Sequence, residues 1–256
     1  MRVAAIMVLL CACGDDGASN AVDASLADAP PDAQVKKAGL VAIVEDKAMN
    51  QTIVLGNFFV DHSTVVASRD DGSCHIEQRN TVMELPINGG TITIMGGGAG
   101  TVSVPFDPMV GGYVAQGTGL SYGPGDQLTI STSGAMVPPL SGQLVFPVRV
   151  TVTSGTPTVL HKSGFTATWD PTAGPVTIGI TQYPSGAPEL RITCAFDGTA
   201  GTGTIPAAAL SDVLTTTSVG IGVSMQTRLM VMAGDYPVNL FAIYGALDAN
   251  SVPVQP

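Results

Sequence analysis

From about residue 38 onward, apolar and polar side chains alternate with period two, the pattern of strands that turn one face to a core and the other to water. Thr91-Ile92-Thr93-Ile94, Thr101-Val102-Ser103-Val104 and Leu128-Thr129-Ile130-Ser131 show it in the first half. In the second half Leu144, Phe146, Val148, Val150 and Val152 fall on one face, with Arg149, Thr151 and Thr153 on the other. Phe165, Ala167 and Trp169 repeat the pattern, as do Val176, Ile178 and Ile180. Threonine on the wet face favours strand over helix, because branching at Cβ fits a pleated surface. Val238 to Tyr244 is apolar on both faces and predicts a central strand.

Turn chemistry separates these runs: Gly89-Gly90, Gly96-Gly97-Gly98, Gly111-Gly112, Pro124-Gly125-Asp126, Pro138-Pro139 and Asp170-Pro171. Only Pro206 to Leu214 predicts a helix, a short one that docks Leu210 and Leu214 on a sheet. The fold class is therefore all-β, an antiparallel β-sandwich. About fourteen strands exceed one simple sandwich, so the chain is expected to form two packed units, 38–137 and 138–256, divided at Pro138-Pro139. A single long-stranded jelly roll fits the same turn spacing. The strands around Phe165–Trp169, Val176–Ile180 and Leu190–Phe196 loosely resemble immunoglobulin-like or fibronectin-like sandwiches, without the immunoglobulin cysteine placement.

Composition narrows the function classes. The 256 residues are 45% hydrophobic, 12% charged and 5% aromatic, with a net charge of -10 and only 10 Lys plus Arg. That apolar share excludes disorder of the whole chain, and the lack of a basic stripe excludes nucleic acid as a partner. The Gly-rich segments 96–100 and 198–203 lack the G-x-G-x-x-G spacing and a following helix, so nucleotide binding is excluded as well.

The N-terminus differs from the rest. Arg2 precedes an apolar run from Val3 to Leu10, the length of a signal-peptide core and too short for a membrane span. Leu10-Cys11-Ala12-Cys13-Gly14 resembles the lipobox of bacterial lipoproteins. The resemblance implies cleavage after residue 12, loss of Cys11, and a mature protein that begins at Cys13 carrying lipid; several acyl chains hold a protein on a membrane where one does so marginally. Residues 13–37 follow as a tether with Asp15, Asp16, Asp23, Asp28 and Asp32, too polar to build a core. Gly14, standing where aspartate retains enteric lipoproteins in the inner membrane, points to the outer membrane of a Gram-negative bacterium.

Chemistry-bearing residues are sparse. Cys74 and Cys194 remain after processing, an even pair in an oxidising compartment, and predict a disulfide. Gly119-Leu120-Ser121-Tyr122-Gly123 fits the G-x-S-x-G nucleophile elbow, but Pro124-Gly125-Asp126 and a strand follow where the elbow needs a helix. His62, His75 and His161 match no zinc spacing, and Asp70-Asp71-Gly72 reads as a turn beside His75 and Glu77. Trp169 is phased inward, whereas Tyr113 and Tyr122 lie in Gly-rich loops and are the candidate ligand-binding platforms, with Tyr183 beside Pro184 a third loop tyrosine. The sequence therefore predicts no catalytic residue, no metal and no cofactor. It predicts a lipid-anchored cell-envelope protein with a structural, adhesive or assembly role, joined to the membrane through Cys13 and partnered by an envelope protein or polysaccharide. A surface polysaccharide- or protein-binding module is the alternative, and a secreted hydrolase stands behind both.

Overall fold

The computed structural model describes residues 36–47, 50–82, 86–117 and 120–256. The signal peptide, Cys13 and the tether up to residue 35 lie outside the described residues. In chain order the strands are β1 (Lys36–Asp46), β2 (Gln51–Asp61), β3 (Thr64–Asp71), β4 (Cys74–Asn80), β5 (Ile92–Met95) and β6 (Thr101–Val104). They continue as β7 (Tyr113–Gly117), β8 (Gln127–Thr132), β9 (Ser141–Val145), β10 (Leu160–His161), β11 (Gly164–Thr168) and β12 (Pro175–Gln182). The last five are β13 (Glu189–Asp197), β14 (Thr202–Pro206), β15 (Val219–Ala233), β16 (Tyr236–Val252) and β17 (Val254–Gln255).

Nine strands form one sheet in the order β3-β4-β13-β12-β15-β16-β1-β2-β7, and four form a second in the order β6-β5-β8-β9. Within the large sheet every pairing is antiparallel except β1 with β16. The four-stranded sheet covers the β15-β16-β1-β2 end around a core that includes Val41, Ile43, Val54, Phe58, Ile92 and Leu128. The β11–β14 ribbon and its neighbouring loops cover the other end around Trp169, Ile178, Ile192, Cys194, Ile205 and Ile221. Gly142 on β9 marks a close approach of the two sheets. A Cβ there would sit 2.6 Å from Leu240 Cδ1, so the position takes only a residue without a side chain.

The expected division at Pro138-Pro139 does not cut this sheet. Strands β13-β12-β15-β16 from after residue 138 lie between β3-β4 and β1-β2-β7 from before it, and β15 and β16 are long enough to serve both cores. On β16, Val238, Leu240 and Ala242 enter one core, while Leu247 and Ala249 enter the other. The inward phase changes from even to odd because Ser224 pairs with Gly245 and Val223 with Leu247, leaving Ala246 as the extra residue of a bulge. The central position of β16 and its two apolar faces match the sequence pattern: Phe241 and Ile243 form a small cluster with Ala42 and Val44 on the face away from the four-stranded sheet.

Two local expectations are corrected. The Leu144-to-Val152 run is strand only to Val145; Pro147 lacks the N–H that would continue the ladder, and Val148 is exposed. Pro206–Leu214 is a series of turns closed by i to i+3 bonds, among them Ala209 N to Pro206 O and Leu210 N to Ala207 O. It buries Ala209, Leu210 and Val213 and leaves Leu214 exposed, because a turn of three residues places different side chains inward than an α-helix does. The one helical element among the described residues is a 3-10 turn at Gly198–Ala200, capped by Asp197. No helix there is long and apolar enough to cross a membrane.

Candidate functional site

β1 runs from Lys36, beside the β15–β16 turn, to Glu45-Asp46 at the opposite end of the sandwich. There it delivers two carboxylates into a cleft of about 180 Å³, lined by Glu45, Asp46, Gln51, Ser121 and Arg149 with Lys47, Asn50, Thr52, Leu120 and Tyr122. The local sequence explains the placement: Val-Ala-Ile-Val is apolar on both faces and lies inside the sheet, and the two acids end the strand, Glu45 half-buried and Asp46 buried.

Arg149 organises the cleft. Its Nε donates to Glu45 Oε1 at 2.9 Å and one terminal nitrogen donates to Glu45 Oε2 at 2.9 Å, a bidentate pair. The same nitrogen donates to the Tyr122 carbonyl at 3.0 Å, and the guanidinium lies 6.0 Å from the Tyr244 ring centroid. Donating these hydrogen bonds to the Glu45 carboxylate raises the Arg149 pKa further, so this cation stays charged at any working pH. With amides, hydroxyls and paired charges around one apolar side chain, Leu120, the cleft can hydrogen-bond a small hydroxyl-rich group. Its lining contains no histidine to act as a base for Ser121.

The two tyrosines expected to bind ligand are core residues, each 1% exposed. Tyr113 is the first residue of β7 and packs edge-on against Phe58 and Phe106, and its hydroxyl accepts the Gly89 N–H at 2.7 Å. Tyr122 stacks on Phe146 at 5.9 Å, and its buried hydroxyl has no hydrogen-bond partner. Burial raises the pKa of both phenols. Flanking glycines suggested exposed loops, whereas glycines distant in sequence close over the rings: a Cβ on Gly97 would lie 2.8 Å from the Tyr122 ring and one on Gly56 3.2 Å from that of Tyr113. Only the Tyr122 backbone reaches Arg149 in the cleft.

Cys74 and Cys194 form the predicted disulfide, across 120 residues, between paired positions on β4 and β13. His75 does not assemble a metal site; among the described residues no group of three or more metal-ligating side chains occurs. Its Nδ1 lies 2.7 Å from Asp70 Oδ1 and its Nε2 lies 3.4 Å from Ser68 Oγ. This serine–histidine–aspartate chain sits on the edge hairpin with the Asp70 side chain 80% exposed, where water solvates the acid. His161 ends β10 and is exposed. Trp169 is buried as its phase predicts, and its Nε1 donates to Gly198 O at 2.9 Å.

Sequence reasoning did not identify Glu45, Asp46, Gln51 or Arg149 as site residues. The available signal was the acidic end of an apolar strand and a lone arginine among outward threonines; nothing local joins residues 104 positions apart.

No known family model matches the chain, and no curated protein matches it in sequence. Among solved structures it is similar to a chain described as a 1.5-MDa bacterial ice-binding adhesin involved in host cell surface retention, at 10% identity and a TM-score of 0.20. The similarity covers 87% of this chain and 66% of that one, less than two thirds of the neighbour's length. At that TM-score the similarity assigns neither a fold nor a function to this chain.

Proposed function

We propose that this protein is exported and lipid-anchored at Cys13 in the bacterial cell envelope, where its β-sandwich serves a structural, adhesive or assembly role. The observation that supports export is the Cys74–Cys194 disulfide, a bond that persists in oxidising compartments and is rare in the cytosol. It is independent of the N-terminal motif, yet agrees with it. In this reading the tether links the folded domain to the outer membrane, and envelope protein or polysaccharide is the partner. Labelled palmitate fed to the producing cells is expected to enter the wild type and not Cys13→Ala; equal labelling of both removes the anchor.

A second reading is favoured by the Glu45–Arg149 cleft, which supports binding of a polysaccharide unit. It moves the ligand contact from the Tyr113 and Tyr122 rings to the polar groups at the cleft. Glycan binding is then expected to be lost in Gln51→Ala combined with Ser121→Ala. Binding that survives both changes overturns this reading.

A further inference from the structure

The end of the sandwich opposite the cleft carries several large exposed apolar side chains, beside the exposed acids Asp107 and Asp235. Met109 is 93% exposed, Val110 63%, Met136 73% and Met232 58%. Single exposed apolar residues are ordinary on a soluble domain, but these come from two separate loops and the end of β15. Gly111 abuts Pro86, Met136 N–H donates to Asn88 O at 2.9 Å, and Gly234 abuts Pro138, so a continuous set of contacts links the tips. The Met109 tip is preformed. Asp107 Oδ1 accepts the Met109 N–H at 2.8 Å, and the Asp107 N–H donates to Gly112 O at 2.8 Å.

The chain also arrives at this end. Lys36 opens β1 here, and Lys37 pairs with Asp235 in the β15–β16 turn and lies 5.1 Å from the Tyr236 ring centroid. We propose that this end of the domain rests on a lipid bilayer, with Met109, Val110 and Met136 inserted at the interface and Met232 beside them. The direction of approach rests on the lipid anchor proposed above. Cys13 lies few enough residues before Lys36 that even a fully extended connection spans only about 80 Å, which confines the domain near the surface.

Charge selects the kind of lipid contact. The protein carries -10 overall and Lys37 is neutralised by Asp235, so attraction to anionic headgroups does not drive the docking. Burial of the apolar tips does, and zwitterionic lipid suffices without sensitivity to salt. Seated this way, the molecule turns the Glu45–Arg149 cleft away from the membrane, towards whatever the envelope presents.

The test uses the full lipidated chain in phosphatidylcholine–phosphatidylethanolamine vesicles. An environment-sensitive fluorophore is attached at Met109→Cys, at Met136→Cys, or at Met95→Cys as the control, the last exposed beside the Gly96–Gly100 turn at the cleft end. The first two labels are expected to shift to the blue and be quenched by nitroxide-bearing lipid at low and high salt, and the third to do neither. If the protein floats with vesicles but all three labels behave alike, the docking is overturned and the anchor stands. A blue shift without lipid quenching places a second protein copy on the tips and also overturns it. Flotation of Cys13→Ser that is lost in Cys13→Ser/Met109→Asp/Met136→Asp upholds docking without the anchor. No flotation of any form overturns both.

Discussion

At the scale of single residues, the Cys74–Cys194 bond and the buried carboxylates carry the clearest consequences. Crosslinking residues 120 apart restricts the unfolded chain, and the loop-entropy relation gives at most about 5 kcal/mol for it. Urea unfolding with and without reductant is expected to show a large drop in midpoint on reduction, matched by Cys74→Ala/Cys194→Ala, and neither cysteine is expected to be alkylated in unreduced protein, native or unfolded. Glu189 is nearly buried, and burial opposes its charge, but hydrogen bonds from Arg191 at 2.5 Å and Thr81 at 2.7 Å prevail and hold its pKa low. Its contribution is present above the ordinary carboxyl value and is lost as pH falls through the depressed one. Asp248 has the opposite sign. Burial raises its pKa, Asp46 adds repulsion, and its hydrogen bond to Asn250 only partly offsets them. Its contribution is full below the ordinary carboxyl value and is lost as pH rises through the raised one. Asp248→Asn is accordingly expected to raise the melting temperature at neutral pH, with the gain vanishing below about pH 4. A gain that persists in acid contradicts the assignment.

At the scale of elements, β16 and its bulge decide how one strand feeds two cores. Deleting Ala246 removes the extra residue, so Leu247 follows Gly245 in regular alternation, stays opposite Val223 and still faces the second core; the variant is expected to fold and to resist limited proteolysis there, and a second core that becomes cleavable contradicts the bulge assignment. Gly142→Leu forces a side chain into the contact with Leu240 and is expected to cost about 1–3 kcal/mol in chemical denaturation. Strand content was legible because alternation is a local signal: Ile92 and Ile94, Leu128 and Ile130, and Val176, Ile178 and Ile180 are all fully buried, although Thr177 and Thr181, phased towards water, are buried as well because β12 is covered on both faces. The bulge was not, since Gly245-Ala246 reads as an uninterrupted strand until its partner is known. Nor was the interleaving of the two halves, because the parallel pairing of β1 with β16 joins segments about 200 residues apart without any local mark. Tyr113 and Tyr122 were misplaced for a related reason. Glycine permits both an open loop and a backbone closed over a ring, and only the tertiary contact distinguishes them.

At the scale of the whole molecule, the account has a direction. The chain enters at Lys36, among exposed methionine tips, and the polar cleft held by Glu45 and Arg149 lies at the far end of the same strand. One end is suited to a membrane and the other to a ligand or partner, joined by a sheet and braced by a disulfide. The N-terminal motif alone proposes the anchor, and many unrelated roles share such sandwiches, so the central claim is the lipid itself. Its most direct test is the intact mass and N-terminal peptide of protein extracted from the envelope of the producing cells. The account predicts a mature chain that begins at Cys13 and carries a thioether-linked diacylglycerol. A chain that retains Met1, or begins elsewhere without lipid, contradicts it.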